Sequence, residues 1–407
     1  MNPFQSGGFR WLWCSSLSTA VAQGIERTAT AWLALSSTDS GSGAFAVGLT
    51  LAARMLPLLV LGLAAGTLAD RGRKSRQLML VAVVGLTGMA FFSWLTGTRS
   101  LQLWQVVALS CGAGCLQVFD TPARQALALD TVPREAATNA VALLALAARL
   151  FSAAGAFSAG VLISTSGVAT CYAVIAVAWG LAAALVSAVR PAAPSGTPIA
   201  HIAFGQALRD AARLIVDNSA VRTLTIASIA CEVFAFSYMS AVPVFARDVL
   251  RVGVEGFGTL NAAAALGGSL AVMGLLVLPG RVRREPVLGA VFILYGGSLL
   301  ALATTRDLAQ TAAVLVVSGA CAAAFDVLQQ TLIQLAVPAG QRGRAMGIWL
   351  FGIGSAPIGH VEMGALASTF GAPAALLING TVVATAAVTL LARSTAYWWP
   401  DVRDRPG

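Results

Sequence analysis

Residues 46–76 read AVGLTLAARMLPLLVLGLAAGTLADRGRKSR. The part up to Ala69 is almost wholly apolar and long enough to cross the hydrocarbon core of a bilayer, which needs about 20 helical residues. A basic cluster follows at once and consists of Arg71, Arg73, Lys74 and Arg76. Such clusters mark the cytoplasmic ends of membrane helices. The stretch therefore predicts a membrane span that ends in a cytoplasmic loop.

The whole chain shares this character. Of its 407 residues, 57% are hydrophobic and 11% are charged, and the mean hydropathy is +0.79. Soluble proteins average about 25% charged residues, and a water-facing globule lacks the interior to bury so many apolar side chains. The composition argues against soluble enzymes, secreted disulfide scaffolds, disordered chains and fibrous repeats. It predicts an all-α membrane protein.

Apolar windows separated by polar or Gly/Pro-rich breaks predict twelve transmembrane helices. Their approximate bounds are 11–36, 44–69, 77–97, 101–122, 138–164, 167–189, 219–246, 256–279, 286–304, 308–332, 344–367 and 372–393. We predict an N-terminal six-helix half at 1–190 and a C-terminal six-helix half with a short cytoplasmic tail at 219–407. Between them, residues 191–218 form a cytoplasmic linker with an amphipathic helix.

The net charge of +9 would suggest nucleic acid as a partner of a soluble protein. Here the basic residues lie in short gaps between apolar runs, so membrane orientation explains them better. Most of the basic residues lie in the gaps that we place on the cytoplasmic side of the membrane. The gaps on the other side hold Arg99, Arg247, Arg251 and Arg306. We therefore expect a multi-pass membrane protein with both termini in the cytoplasm, and we expect no nucleic-acid partner.

The two halves repeat each other. QALALDTVP at 125–133 aligns with QTLIQLAVP at 330–338, about half the chain later. Just upstream, Phe119-Asp120 has its counterpart in Phe325-Asp326. A parallel repeat with a binding site at the repeat interface is a known transporter design.

The segment from Gly66 to Lys74 resembles the loop signature of the major facilitator superfamily, G-x-L-A-D-R-x-G-R-K. It matches at Gly66, Leu68, Ala69, Asp70 and Arg71, and the final Gly72, Arg73 and Lys74 arrive one position early. The resemblance implies a conformational latch formed by Gly66, Asp70, Arg71, Gly72, Arg73 and Lys74 with Asp120 and Arg124 of span four. A plain positively charged cytoplasmic loop is the alternative.

The resemblance continues in FDTPARQALALDTVPREAATNA (119–140), PVFARDVLRVGVEGFGTL (243–260) and QRGRAMGIWLFGIGSAPIG (341–359). These segments are similar to the bacterial exporter branch that contains the enterobactin exporter and the transmembrane secretion effectors. Drug antiporters of the superfamily carry a Gly-Pro-rich motif in span five. Residues 149–160 here lack the proline.

Charged residues inside membrane spans are costly, at roughly 2.5–3.5 kcal/mol each at mid-bilayer on insertion scales. Glu26 lies in span one and Glu232 in span seven, at matching positions of the two halves. A carboxyl group held in a low-dielectric cavity can carry a proton near neutral pH. We expect this pair to line one cavity. The alternatives are a structural ion pair for Glu26 and plain solvation near the inner surface for Glu232.

Other polar residues within spans have two interpretations each. Arg54 and Arg149 either bind an anionic substrate or neutralise an acid such as Glu26. Asp120 and Arg124, four residues apart near the inner end of span four, favour a local ion pair or latch over a substrate site. Asp326 with Gln329 is their counterpart in span ten.

His360 and Glu362 in span eleven are polar where the resembled pattern is apolar. They either take part in proton coupling or form polar contacts between helices. By family resemblance, spans one, four, seven and ten line the cavity. Their polar residues are Gln23, Glu26, Gln105, Gln117, Glu232, Tyr238, Asp326 and Gln329.

The chain shows no catalytic constellation, no Walker A sequence and no metal-ligand spacing, so we expect neither an enzyme nor a cofactor. The sequence predicts a monomeric, proton-coupled exporter of a small organic molecule, siderophore-like or drug-like, that works by alternating access. Uptake by proton symport, uncoupled diffusion and a non-transporting membrane sensor are the alternatives.

Overall fold

A computed structural model describes residues 3–38, 42–71, 74–98, 101–133, 136–189, 213–277, 282–338 and 341–394. These residues are helical apart from short connections and form no strand. The helices are α1 (Gly7–Ser36), α2 (Gly43–Arg71), α3 (Lys74–Gly97), α4 (Leu103–Thr131), α5 (Ala137–Ser187), α6 (Ser219–Val249), α7 (Gly253–Leu276), α8 (Arg284–Thr304), α9 (Leu308–Leu335), α10 (Arg342–Ile353), α11 (Ala356–Phe370) and α12 (Ala372–Ser394).

Nine helices of the described residues are long and apolar enough to cross a membrane. This confirms the all-helical membrane class. α1, which carries charged residues in its middle, is not in that count, and the predicted span eleven is divided into α10 and α11 by a turn at Gly354–Ser355. Of the predicted linker, residues 213–217 are helical, and 191–212 lie outside the described residues.

The long helix α5 contains the predicted spans five and six. Its 51 residues would measure about 76 Å if straight, more than twice the thickness of the hydrocarbon core. Gly167 interrupts it with φ 82° and ψ 170°, a backbone conformation that glycine adopts without a steric penalty. The Cys171 thiol lies 3.9 Å from the backbone oxygen of Ala159. Because residues this far apart in sequence touch, the chain reverses at Gly167.

Helix α4 is longer than the sequence predicts. The predicted span ends at 122, where Pro122 and charged residues begin, but the helix continues to Thr131 with Pro122 inside it. A proline inside a helix removes only one hydrogen bond, and packing against neighbouring helices can offset that loss. Asp120 and Arg124 therefore lie inside α4 and not at its end.

The helices pack as two groups, α1–α5 and α6–α12. In the first group, α1 packs along α5, α2 along α4, and α3 along α4 and α5. In the second, α6 packs against α10 and α11, α7 along α9, and α8 along α9 and α12. Glycines allow the closest approaches, since a Cβ at Gly24 of α1 would overlap the backbone oxygen of Ser152 in α5.

The two groups meet where α5 packs along α7 and α2 along α11. Hydrogen bonds join them at the end where α1 finishes. Arg247 donates to the Leu35 backbone oxygen at 2.9 Å, and Asn261 donates to Thr28 Oγ1 at 3.3 Å. The ring of Trp32 stacks on Phe257 with centroids 5.9 Å apart. These contacts hold the two groups together on the side of the α1–α2 connection.

One pair of glycines in α4 offers a matched test of helix packing. A Cβ at Gly114 would overlap the backbone oxygen of Arg54, whereas nothing lies within 4 Å of a Cβ at Gly112. Gly114→Val is therefore expected to lower the free energy of unfolding by about 1–3 kcal/mol, the usual range for overpacking. Gly112→Val should be nearly neutral. Thermal unfolding of the purified variants in one detergent measures the difference, and equal melting temperatures would contradict it.

Candidate functional site

A buried ion pair lies at the centre of the first group. Glu26 in α1 and Arg54 in α2 are joined through Oε2 and Nη1, and each side chain is 3% exposed. Thr30 donates to Glu26 Oε1 at 3.2 Å, and Arg54 Nη2 donates to Gln117 Oε1 of α4 at 3.2 Å. The two charges therefore neutralise each other, as buried ions in a membrane must.

This pair also borders a small cavity inside the first group. The cavity has a volume of about 10 Å³, room for about one water molecule. It is lined by Gln23, Glu26 and Arg54 together with apolar side chains of α3, α4 and α5. Thr30 Oγ1 lies 3.0 Å from the Tyr172 hydroxyl of α5, which extends the polar network. Of the two interpretations left open for Glu26 and Arg54, the geometry corresponds to mutual neutralisation.

Arg27 follows Glu26 in sequence and lies within electrostatic range of both Glu26 and Arg54, but it hydrogen-bonds to other groups. Its Nη2 donates to Ser152 Oγ of α5 at 2.6 Å, and its Nε donates to the Gln23 backbone oxygen at 3.2 Å. The side chain is partly exposed and takes part in none of the ion pairs found among the described residues. Sequence reasoning assigned Arg27 no role, although a charge inside a predicted span is itself a signal.

Glu232 lies in a π-helical turn of α6, Cys231–Ala235. The amide of Phe236 donates to the backbone oxygen of Cys231 at 2.8 Å, five residues back. Such turns are rare and frequently occur at functional sites. The Glu232 side chain is partly exposed and lies within electrostatic range of Asp326 in α9.

Asp326 has a cation from the other group near it. Arg149 of α5 lies within electrostatic range of Asp326. A Cβ at Gly268 of α7 would lie 3.6 Å from Arg149 Nη1 and 3.4 Å from the Cβ of Ala323, one turn before Asp326. The Arg149 guanidinium therefore lies next to α7, close to where α7 packs on α9. Among the described residues, neither carboxylate is found in an ion pair.

Two other predicted cavity residues are packed inside the second group. Tyr238 is 4% exposed and contacts the ring of Tyr295 edge-on, with centroids 6.3 Å apart. Gln329 is 1% exposed and donates to the Leu224 backbone oxygen at 3.4 Å. In this structure both side chains therefore serve helix packing.

His360 and Glu362 contact different helices. His360 Nδ1 lies 2.8 Å from Ser240 Oγ of α6. Glu362 Oε2 accepts a hydrogen bond from Asn379 Nδ2 of α12 at 3.0 Å. Both contacts match the alternative of polar links between helices.

The predicted latch is described in part. Arg124 forms two hydrogen bonds with Asp120, at 2.9 and 2.7 Å, so the local pair predicted from the sequence is present. Arg124 Nη1 also donates to Ser15 Oγ and Ser16 Oγ of α1, each at 3.2 Å. The pair therefore ties α4 to α1.

The rest of the latch is less well defined. Lys74 Nζ lies 2.7 Å from Asp130 Oδ2, which joins α3 to α4. The structure describes Gly66, Asp70 and Arg71 as helical backbone only, and Gly72 and Arg73 lie outside the described residues. The latch role stays a prediction.

Comparison with known proteins decides the family. A family model described as transmembrane secretion effector matches residues 1–398. The chain belongs to the transmembrane secretion effector family. This confirms the resemblance to the exporter branch of the major facilitator superfamily. The staphyloferrin A transporter of Staphylococcus aureus is 23% identical over 351 residues, which cover 83% of this chain and 84% of the relative.

Solved structures agree with this family at the level of the fold. A POT family transporter in complex with 5-aminolevulinic acid has a TM-score of 0.75 at 11% identity, with 96% of each chain covered. A bacterial homologue of the human lysosomal transporter Spinster, inward-facing and unoccupied, has a TM-score of 0.70 at 14% identity, with 97% of this chain and 96% of that chain covered. The transmembrane secretion effector described here is thus a membrane transporter of the major facilitator type, and its relatives point to transport and not to catalysis.

Proposed function

We propose that the protein exports a small organic molecule from the cytoplasm in exchange for protons, by alternating access of a site between its two helix groups. It crosses the bacterial inner membrane twelve times as a monomer, with both termini in the cytoplasm. In this assignment α5 supplies two crossings on either side of Gly167, and α10 with α11 supplies one.

The packing pattern supports two six-span halves. The contacts of α2 with α4 correspond to those of α7 with α9, and the contacts of α3 with α4 correspond to those of α8 with α9. The packing of α1 on α5 likewise corresponds to that of α6 on α10 and α11. A repeat of this kind explains why QALALDTVP and QTLIQLAVP recur in α4 and α9. Halves that pack alike can rock about a shared site.

The observation that carries the proposal is that Glu232 and Asp326 lie within electrostatic range of each other, with Arg149 within range of Asp326. Nearby carboxyl groups titrate as a coupled pair, and the proton count of the pair responds to a neighbouring cation. Arg149 belongs to one half and Asp326 to the other. Rocking of the halves would change their separation, so proton binding and conformation are linked. Glu26 is instead joined to Arg54, a cation of its own half.

The energy available is adequate for export. Each proton that enters down a potential of about 100 mV releases about 2.3 kcal/mol. Since about 1.4 kcal/mol corresponds to a factor of ten, one proton can sustain a substrate gradient of roughly 50-fold. The substrate would be siderophore-like or drug-like, and the staphyloferrin A transporter supports the first class.

Everted membrane vesicles that contain the protein test the direction and the coupling. Staphyloferrin A and ethidium serve as the two probes. Acidifying the vesicle lumen should drive one of the probes inward if the protein exchanges protons for substrate. Movement of the probe out of an acidified lumen would indicate uptake symport. Movement that does not depend on the pH gradient would indicate uncoupled diffusion. Either result contradicts the proposal.

A further inference from the structure

We propose that Arg247 forms an outer clasp, in which its guanidinium holds the carbonyl end of α1 and must separate from it each time the protein opens outward. This inference rests on the proposed alternating access and adds the contact that keeps the outer side closed. Arg247 belongs to the second group of helices and α1 to the first. In the proposed topology the end of α1 faces outward, because the N-terminus is cytoplasmic.

The clasp is a hydrogen bond between a cation and a helix end. Arg247 Nη1 donates to the Leu35 backbone oxygen at 2.9 Å. Leu35 lies in the last turn of α1, where backbone oxygens lack partners within the helix and carry the negative end of its dipole. The Ala34 oxygen accepts instead from Thr38 Oγ1 at 3.2 Å, just beyond the helix. The end of α1 is thus capped partly by its own loop and partly by a cation of the other group.

A second contact of Arg247 makes the clasp reversible. Its Nε donates to Asp248 Oδ1 at 2.6 Å and its Nη2 to Asp248 Oδ2 at 3.2 Å. The side chains of Arg247 and Asp248 are 27% and 46% exposed. Because Asp248 belongs to the same group, Arg247 keeps a counter-ion and contact with water when it leaves α1. Release therefore leaves no buried, unpaired charge, which would be costly.

Other contacts between the two groups lie at the same end of the described helices. They are the hydrogen bond of Asn261 to Thr28, the stacking of Trp32 on Phe257, and a hydrogen bond from Ser164 Oγ of α5 to Glu255 Oε1 of α7 at 2.5 Å. Opening of this end requires all of these contacts to break together. Among them, the clasp is the one that joins a cation to a helix dipole.

The helix backbones also meet at this end. A Cβ at Gly258 of α7 would lie 3.1 Å from the Gly160 Cα of α5, and a Cβ at Gly364 of α11 would lie 3.1 Å from the Gly48 Cα of α2. Each contact pairs a glycine of one group with a glycine of the other, so the backbones touch with no side chain between them. A cargo molecule can pass only when they separate, and the outer end is therefore closed in this structure.

The reaction rate of a buried thiol tests the clasp in the purified full chain in detergent. Thr28→Cys, in a variant whose six native cysteines are replaced by alanine, places a thiol at a residue that is 1% exposed between α1 and α7. A maleimide should label it ~3-fold faster or more in Arg247→Gln, within the range that a cation at a helix C-terminus supports. Arg306→Gln is the matched control and should leave the rate unchanged, because the exposed Arg306 donates to backbone oxygens of its own group, those of Ala303 and Thr305.

A second thiol separates opening of the gate from loss of folding. Ser318→Cys lies at a residue that is 0% exposed and hydrogen-bonds to Ser298 inside the second group. It should react no faster in Arg247→Gln than in the wild-type background. The inference is overturned if Arg247→Gln leaves the Thr28→Cys rate at or below that of the Arg306→Gln control, or if the Ser318→Cys rate rises by the same factor.

A cross-link tests whether this end must open during transport. Oxidation of Thr28→Cys with Asn261→Cys should stop exchange of the probe in vesicles, and a reductant should restore it. Ser18→Cys with Ala178→Cys joins α1 to α5 within the first group, where Ser18 Oγ lies 2.7 Å from the Ala178 oxygen, and should leave exchange intact. Exchange that survives the first cross-link would overturn the gate. The labelling rates require neither a substrate nor a pH gradient, so a clasp that passes this test would stand even if proton coupling failed, and the reverse holds as well.

Discussion

Arg54→Met is expected to leave little folded protein. The substitution removes the cation from a buried Glu26 that is 3% exposed and whose other described partner is the Thr30 hydroxyl. Leaving one member of a buried ion pair alone costs about 3–5 kcal/mol, which is a large part of the stability of a typical domain. Size-exclusion profiles and thermal unfolding in detergent measure the loss.

The matching double variant separates pairing from simple loss of a side chain. Glu26→Leu with Arg54→Met replaces the ion pair by apolar side chains, which is often neutral or stabilising for buried pairs. We expect it to recover most of the stability, and Arg306→Met should behave like the wild type. A double variant that is no more stable than the single ones would contradict mutual neutralisation.

The recovered double variant also bears on the alternative that Glu26 carries protons. Proton-driven transport that persists without this carboxyl group would leave the pair with a structural role only. Loss of coupling in a well-folded double variant would instead return Glu26 to the proton pathway. The stability measurement shows whether a loss of transport comes from unfolding or from the loss of the carboxyl group.

Asp326→Asn and Glu232→Gln are expected to abolish coupling to the proton gradient. Each substitution removes a carboxyl group from the pair beside Arg149 and replaces it with an amide that cannot ionise. With a pH gradient equivalent to about 100 mV, the accumulation ratio of the transported probe in acid-loaded everted vesicles should fall from as much as ~50-fold to about one. Exchange of the probe at equal pH should continue, because the site and the rocking motion remain.

The control for this experiment is Asp217→Asn, because Asp217 is exposed and lies before α6. It should leave accumulation unchanged. If Asp326→Asn and Glu232→Gln both retained accumulation driven by the pH gradient, the proton carriers would have to be sought elsewhere, with His360 and Glu362 as the next candidates. If equal-pH exchange were lost as well, these residues would bind substrate or support the fold.

Much of the outline follows from local sequence. Apolar windows locate the helices because the cost of leaving backbone groups unbonded in a bilayer allows few structures other than helices. The errors occur where packing overrides a local signal. Pro122 marks a helix end in the sequence, yet α4 continues through it. The break between predicted spans five and six, in contrast, coincides with the chain reversal at Gly167.

The candidate functional site was also predictable from the sequence only in part. The sequence identified five candidates because charged residues inside apolar spans are costly and are usually paired or functional. They are Glu26, Arg54, Arg149, Glu232 and Asp326. It treated Glu26 and Glu232 as equivalents. The structure gives Glu26 a buried cation and leaves Glu232 partly exposed near another acid.

The amino-acid sequence by itself determined that the chain lies in a membrane, is helical and belongs to a transporter family, because hydropathy, basic gaps and loop motifs are local properties. Which charges neutralise each other, and which stay available, is visible only in the packing of the helices. Arg54 is joined to Glu26, Arg27 hydrogen-bonds to Ser152, and Arg149 lies within electrostatic range of Asp326. The partner of a charge depends on which helices are neighbours in space, and no spacing along a single helix contains that information.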